Sequence, residues 1–329
     1  ELRKAITERV RLDIGQSYQI NEVAVTSGAK FAIFSALQVI CDSTDEVIIH
    51  SPYWVSYPTM VELAGAKPVL VTCTEETNFK ITASLLEKHM NQNTKAFLFC
   101  SPSNPTGFVY SAEELKKIAE VIRKHPRAII ITDDMYNRLM FDGSLCAPHI
   151  LQVAPDLKDR TIVINGGSKA YAMTGWRIGW ALGPQKIIQA LGDYASQSTG
   201  APSSIAQQAA LQAILHTEGN IKETNIILKN RLEQALKEFA KLKEFKVYKP
   251  DGAFYLWVDI RGALNKNYQG QKIASSKDFC QILLEKFFVA TVPGEEFGNP
   301  GFMRLSFAID TPRMTEAIGR MTALVREMN

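Results

Sequence analysis

Thr161-Ile162-Val163-Ile164-Asn165-Gly166-Gly167-Ser168-Lys169 opens on a run of β-branched residues and closes on two glycines, a serine and a lysine. A strand is expected at Thr161–Asn165, and apolar side chains at almost every position of Thr161–Ile164 suit one covered on both faces. Ala128–Asp133 (Ala-Ile-Ile-Ile-Thr-Asp) reads the same way. Strands of this kind belong to parallel sheets with helices on either side. Working outward, further strands are expected at Val23–Thr26, Glu46–His50, Lys67–Val71, Ala96–Cys100 and Arg177–Ala181. Helical patterns fall between and after them at Ala29–Ile40, Tyr57–Ala64, Ala83–Met90, Ala112–His125 and Pro184–Ala195. Strand and helix in alternation are the signature of βαβ units. The fold class is α/β, with a mostly parallel seven-stranded sheet between helices.

Ser198–Ser204 (Ser-Thr-Gly-Ala-Pro-Ser-Ser) marks a break, and one long helical pattern then runs to about Lys243. The rest reads as a smaller α+β domain, with strands at Phe254–Val258 and Met303–Phe307 and helices at Lys277–Phe287 and Pro312–Glu327. Thr311 reads as the N-cap of the last helix, with Pro312 at its first position. The expected division is residues 1–200 and 201–329. The chain starts without Met and directly inside an amphipathic pattern (Leu2, Ala5, Ile6, Val10), so a preceding segment is expected to be missing. Residues 1–15 are expected to pack with the smaller domain.

Composition narrows the function classes. Of 329 residues, 46% are hydrophobic and 22% charged, ordinary values for a globular protein. The net charge of +3 is spread through mixed runs such as Glu113-Glu114-Leu115-Lys116-Lys117, which read as a solvated helix face. No basic stripe of a nucleic-acid binder is seen. No apolar stretch approaches the roughly 18–20 residues of a membrane span. The five cysteines (Cys41, Cys73, Cys100, Cys146, Cys280) lack the paired spacing of a disulfide framework or zinc site, so a reducing, cytoplasmic setting is expected. The five histidines show no metal-ligand spacing, and no G-x-S-x-G, H-E-x-x-H or G-x-G-x-x-G occurs.

In open α/β sheets, ligands lie beyond the carboxyl ends of the strands, and polar clusters occur there. Ser27-Gly28-Ala29-Lys30 is either a turn or an anion-binding helix start. Ser101-Pro102-Ser103-Asn104-Pro105-Thr106-Gly107 is either a tight loop or a rigid mount for the Asn104 amide. Asp133 closes an apolar strand, where a carboxylate requires a partner: a structural cation, a cap, or a cationic heterocycle. Asp134 beside it reads as an exposed partner or helix cap, and His50 as a satisfied polar group. Lys169, behind two glycines, aims into the cleft, where desolvation lowers its pKa and suits Schiff-base chemistry. Arg177, in Thr-Gly-Trp-Arg-Ile-Gly, is a cation placed to clamp a phosphate.

Five motifs carry a resemblance: Ser-Pro-Tyr-Trp-Val-Ser-Tyr-Pro (51–58), Asn-Pro-Thr-Gly (104–107), Asp-x-x-Tyr (133, 136), Ser-Lys-x7-Arg (168–177) and Phe-Met-Arg-Leu-Ser (302–306). In this order and spacing, the chain resembles the class I aminotransferases, the aspartate aminotransferase family of pyridoxal 5′-phosphate (PLP) fold-type I. The resemblance, from about Leu2 to the C-terminus, implies a role for each residue. Lys169 holds PLP as a Schiff base and moves the substrate proton. Asp133 pairs with the ring nitrogen. Tyr136 and Asn104 bond the ring oxygen, and Trp54 stacks on the ring or is simply core packing. The Gly28 and Ala29 amides with Arg177 hold the phosphate, and Arg304 takes the substrate carboxylate as a bidentate fork.

Two positions depart from the pattern. Gly166 stands where many relatives carry a phosphate-contacting serine, with Ser168 as the candidate substitute. The arginine that some relatives place within 196–202 for the distal carboxylate is absent, which points to Lys30; a solvated first-turn lysine is the alternative. The resemblance further implies a homodimer with shared active sites, in which relatives supply a tyrosine to the neighbour's phosphate. The expected activity is transamination between an amino acid, aspartate foremost, and 2-oxoglutarate. A PLP-dependent C–S or related lyase and a non-catalytic ligand-sensing module are the alternatives. No nucleic-acid, membrane or metal partner is expected.

Overall fold

The computed structural model describes residues 1–329. The first part of the chain forms α1 (Leu2–Ile14), β1 (Val23–Thr26), α2 (Ala29–Ile40), β2 (Glu46–Ser51), α3 (Ser56–Leu63), β3 (Lys67–Thr72), α4 (Ala83–His89), β4 (Thr94–Cys100) and α5 (Ala112–Arg123). It continues through β5 (Ile129–Asp133), α6 (Ile150–Val153), β6 (Thr161–Gly166), β7 (Gly179–Leu182), α7 (Gln185–Ser196), α8 (Ser204–His216) and α9 (Glu218–Phe239). The remainder holds β8 (Lys246–Tyr248), β9 (Tyr255–Asp259), β10 (Asn267–Tyr268), β11 (Gln271–Lys272), α10 (Ser276–Phe287), β12 (Val292–Pro293), β13 (Phe302–Ser306) and α11 (Thr311–Glu327).

The large sheet has the order β1-β7-β6-β5-β4-β2-β3. β2, β3, β4, β5 and β6 are mutually parallel, while β7 runs antiparallel to both β6 and β1. Side chains alternate between two cores, one on each face. Val47, Ile49, Leu98, Ile131 and Ile164 point into the larger core, and Ile48, Phe97, Phe99, Ile130 and Val163 into the other. That double coverage is why these strands read as unbroken apolar runs. A second, antiparallel sheet, β12-β13-β9-β8, lies wholly after residue 200 and joins the larger core through Leu256, Val258, Met303 and Leu305.

Several expectations need correction. α1 does bury Leu2, Ala5, Ile6 and Val10, but against the sheet face opposite the small C-terminal unit, beside α8 and β1. Its apolar stripe matches Val23, Trp180 and Ala210, which that face presents. The long helix to Lys243 is two helices, α8 and α9, broken at Thr217, whose hydroxyl donates to the Ala213 carbonyl at 2.7 Å. α11 is capped by Asp310, whose carboxylate accepts from the Arg313 amide at 3.0 Å, so Thr311 and Pro312 are its first two helical residues. A carboxylate at that place also suits the helix dipole. β8, β10, β11 and β12 escape sequence reading because two or three residues carry no periodicity. Asp134 is buried, not exposed, and lies 3.4 Å from His149. His50 is buried with its Nε2 3.3 Å from the Tyr110 hydroxyl, but its Nδ1 has no partner. All five cysteines are free thiols.

Candidate active site

Sheet topology gathers the functional side chains at one edge. Parallel β4, β5 and β6 end in register, with Cys100 beside Asp133 and Asp133 beside Ile164. Their carboxyl ends therefore lead together into Asn104, Asp133 with Tyr136, and Lys169. Because β7 is reversed, Arg177, two residues before its start, arrives at this same edge. β1 is reversed again, so its carboxyl end delivers Gly28 and α2 beside Arg177. The edge frames a cavity of about 320 Å³ lined by Ala29, Lys30, Trp54, Asn104, Asp133, Tyr136, Ser168, Lys169, Arg177 and Arg304, with Ile33, Met135, Thr174 and Tyr255.

One end of the cavity is built for an anion. Gly28 has φ 92° and gives α2 no side-chain cap, so the first amides of the helix face the cleft. A Cβ on Gly28 would lie 2.4 Å from Arg177 Nη2, and one on Gly179 would lie 2.3 Å from the Ala29 nitrogen. Only glycines let the guanidinium, helix start and β7 approach so closely. Arg177 is anchored by its own Nη1 donating to the Thr174 carbonyl at 3.0 Å. Gly166 has a physical reason too: a Cβ there would meet the Ile178 carbonyl oxygen at 2.8 Å. A serine at this position does not fit without moving β7, whereas Ser168 already lines the cavity.

The floor holds a buried anion. Asp133, 4% exposed, accepts from the Tyr57 hydroxyl at 2.6 Å and from the Met135 amide at 3.2 Å. Burial pushes its carboxyl above the usual range, with the Tyr57 and Met135 bonds and the Lys169 charge pulling it back. A cation placed in the cavity would complete its solvation. Lys169 faces the rings of Phe254 and Tyr136, with Nζ 5.3 and 5.7 Å from their centroids. Burial lowers the pKa of its amine, reinforced by Arg304 and Arg177 and opposed by Asp133.

The far wall offers a second anion site. Arg304 Nη1 donates to Asn104 Oδ1 at 2.8 Å, which leaves the Asn104 amide hydrogens free to donate. Its guanidinium carbon lies 4.4 Å from the centroid of Tyr255 and 5.0 Å from that of Phe297. Its buried Nε has no partner within the protein. Lys30 Nζ sits 4.9 Å over the Trp54 ring, and Trp54 meets the Tyr57 ring edge-on at 5.4 Å. Sequence reading missed Tyr57, although it stands inside the 51–58 motif, and Tyr255, which looked like one more strand residue. Each gains its place through a contact across more than 70 positions of chain, Tyr57 to Asp133 and Tyr255 to Tyr136.

An anion cradle, a buried carboxylate and a desolvated lysine on one sheet edge fit a phosphate-bearing, ring-cationic aldehyde, and together they define a fold-type I PLP enzyme. Residues 1–321 match the family described as aminotransferase class I and II, and the chain belongs to it. It is 42% identical over 323 residues to the probable aspartate/prephenate aminotransferase of Rickettsia bellii, covering 97% of this chain and 80% of that protein. It is 41% identical over 327 residues to the aspartate aminotransferase of Bacillus sp. strain YM-2, covering 99% and 81%. The crystal structure of the Rhizobium meliloti aspartate aminotransferase superposes with a TM-score of 0.95 at 38% identity, over all of this chain and 82% of that one. The protein is a PLP-dependent aminotransferase.

Proposed function

We propose that the chain moves an amino group between aspartate and 2-oxoglutarate in a ping-pong cycle. The observation that carries this reading is the pair of anion sites, at Gly28–Arg177 and at Arg304, in one cavity with Lys169 and Asp133. The relatives named for aspartate point the same way. When bound, PLP supplies an aldehyde that condenses with amines and a cationic ring that draws electrons from the substrate Cα.

The protein's part is to position and to move one proton. The helix start at Gly28 and Ala29, with Arg177, holds the phosphate. Ser168, beside Lys169 in the cavity wall, is available as a further hydroxyl. Asp133 stays ionised against the ring nitrogen and keeps it protonated. Asn104 and Tyr136 donate to the ring oxygen, and Trp54 covers the ring face. Arg304 binds the substrate α-carboxylate through its free edge. Lys169, whose amine gives up its charge more readily than an ordinary lysine, would accept the proton from the substrate Cα and return it to the carbon on the other side of the amino nitrogen. Lys30 takes the distal carboxylate of a dicarboxylic substrate, its Nζ being held over Trp54 on the cavity rim.

We also take the working unit to be a cytoplasmic homodimer with shared active sites, built of a PLP-binding domain at 1–200 and a second domain at 201–329. The exposed Trp176 and Arg177 at the phosphate end support the first, five free thiols support the compartment, and the division of the sheets supports the last. The test of function is a spectral titration of the purified protein with single amino acids. Aspartate should convert the absorption of the Lys169-bound cofactor to that of its amine form, and 2-oxoglutarate should restore it. No response to aspartate, glutamate, aromatic amino acids or alanine would overturn the reading. Release of pyruvate and ammonia from cystathionine without a 2-oxo acid would assign a lyase instead.

A further inference from the structure

Tyr136 and Tyr255 form a buried pair with hydroxyl oxygens 2.8 Å apart. Tyr136 follows β5 of the large sheet, whereas Tyr255 opens β9 of the small one, so the bond ties the two units at the cavity. On β9 and β13 the register pairs Trp257 with Arg304 and Tyr255 with Ser306. Tyr255 and Arg304 are thus diagonal neighbours on one face, within reach of long side chains. The Arg304 guanidinium carbon sits 4.4 Å from the Tyr255 ring centroid. Arg304 therefore reaches both residues assigned to the ring oxygen: Asn104 directly, and Tyr136 through Tyr255.

We propose that Tyr255 is a positioning residue that fixes the direction of the Tyr136 hydroxyl and transmits the occupancy of Arg304 to it. On the PLP reading above, on which this proposal rests, two phenolic protons decide the matter. One hydroxyl of the pair donates to the other, and only the acceptor keeps its proton for a third group. If Tyr136 were the donor, it would have none for the cofactor's ring oxygen. Arg304 breaks the tie, its guanidinium carbon being 4.4 Å from the Tyr255 ring centroid while Lys169 Nζ is 5.7 Å from that of Tyr136. A cation over the Tyr255 ring makes that phenol the more acidic, and the more acidic hydroxyl is the better donor. Burial pushes both phenols up, so both stay protonated near neutrality, while Arg304 pulls Tyr255 back. Besides Arg304, the titratable groups around the pair are Lys169, Asp133 and Cys100. Tyr255 donates, Tyr136 accepts, and the Tyr136 proton points into the cavity. A substrate carboxylate on Arg304 offsets the cation, weakens this donation and loosens the grip of Tyr136 on the ring oxygen.

The test is a spectrophotometric pH titration of the cofactor-loaded protein, with and without maleate as an unreactive dicarboxylate. Tyr255→Phe keeps the ring under Arg304 and removes only the hydroxyl. Its absorption midpoint should rise by about half to one pH unit, a three- to ten-fold change in the acid constant for one neutral hydrogen bond. The further rise that maleate causes should be smaller than in wild type. In the otherwise wild-type protein Tyr255→Phe should lower kcat with KM little changed, whereas on the Tyr136→Phe background it should add nothing, because its effect passes through Tyr136. An unshifted midpoint with a wild-type maleate response overturns the proposal, and so does a full Tyr255→Phe effect when Tyr136 is already Phe. A wild-type protein that shows no cofactor band in the visible region defeats the cofactor reading itself, a distinct failure.

Discussion

Replacing Tyr57 by phenylalanine removes a single oxygen from the wall behind Asp133. In the native arrangement that hydroxyl donates to Asp133 Oδ2 at 2.6 Å, and the only other bond to the carboxylate comes from the Met135 amide at 3.2 Å. A hydrogen bond to a charged group contributes about 1.5–3 kcal/mol, so its loss raises the Asp133 pKa further. Burial already holds that pKa above its unfolded value. The folded protein then binds the proton more tightly than the unfolded chain, and stability falls as pH rises from the unfolded pKa through the folded one. The difference between variant and wild type is full at neutral pH and shrinks as pH drops through the folded pKa. For a chain of 329 residues, an unfolding entropy of about 2.1 cal/mol/K per residue converts the loss to about 2–4 °C. Thermal unfolding of the cofactor-free protein across pH is the assay, with PLP affinity as the second readout, expected to weaken. An equal loss of Tm at every pH would assign the effect to packing and refute the carboxylate argument. No loss at all would refute the bond's contribution.

Gly179→Ala places a Cβ 2.3 Å from the Ala29 nitrogen, so the start of α2 must move; PLP affinity of the cofactor-free protein, measured by fluorescence titration, should fall by about ten-fold or more. Arg304→Lys keeps the charge but loses the fork and the bond to Asn104, and KM for amino acids should rise about 10- to 100-fold in steady-state assays. Lys30→Met should raise KM for aspartate by about ten-fold and leave that for phenylalanine unchanged, since only the former has a distal carboxylate; equal changes for both would remove Lys30 from substrate recognition.

Much of this was legible along the chain because the relevant forces are local or periodic. Strands covered on both faces must be apolar throughout, so Thr161–Ile164 and Ile129–Thr132 announce a buried parallel sheet before any contact is known. Glycines where a Cβ cannot fit, and prolines that stiffen a loop, leave marks at fixed positions, and Lys169, Asp133, Asn104 and Arg177 stand directly after such elements. Contacts between distant segments leave no such mark. Tyr57 and Tyr255 look like ordinary apolar-run residues; they acquire function because β5 carries Asp133 to one and Tyr136 to the other. The face to which α1 belongs went against the expectation that it packs with the smaller domain, since its stripe fits either core and only the packing with β1 and α8 chose. Asp310 displaced Thr311 as a cap because a carboxylate one residue earlier reached the Arg313 amide. Sequence by itself determined the sheet, the lysine and the chemistry at the strand ends, because each depends on residues near one another in the chain. Which hydroxyl faces Asp133, which one meets Tyr136, and how Arg304 reaches Asn104 and Tyr255 were decided by tertiary structure, because these contacts depend on distances that no spacing encodes.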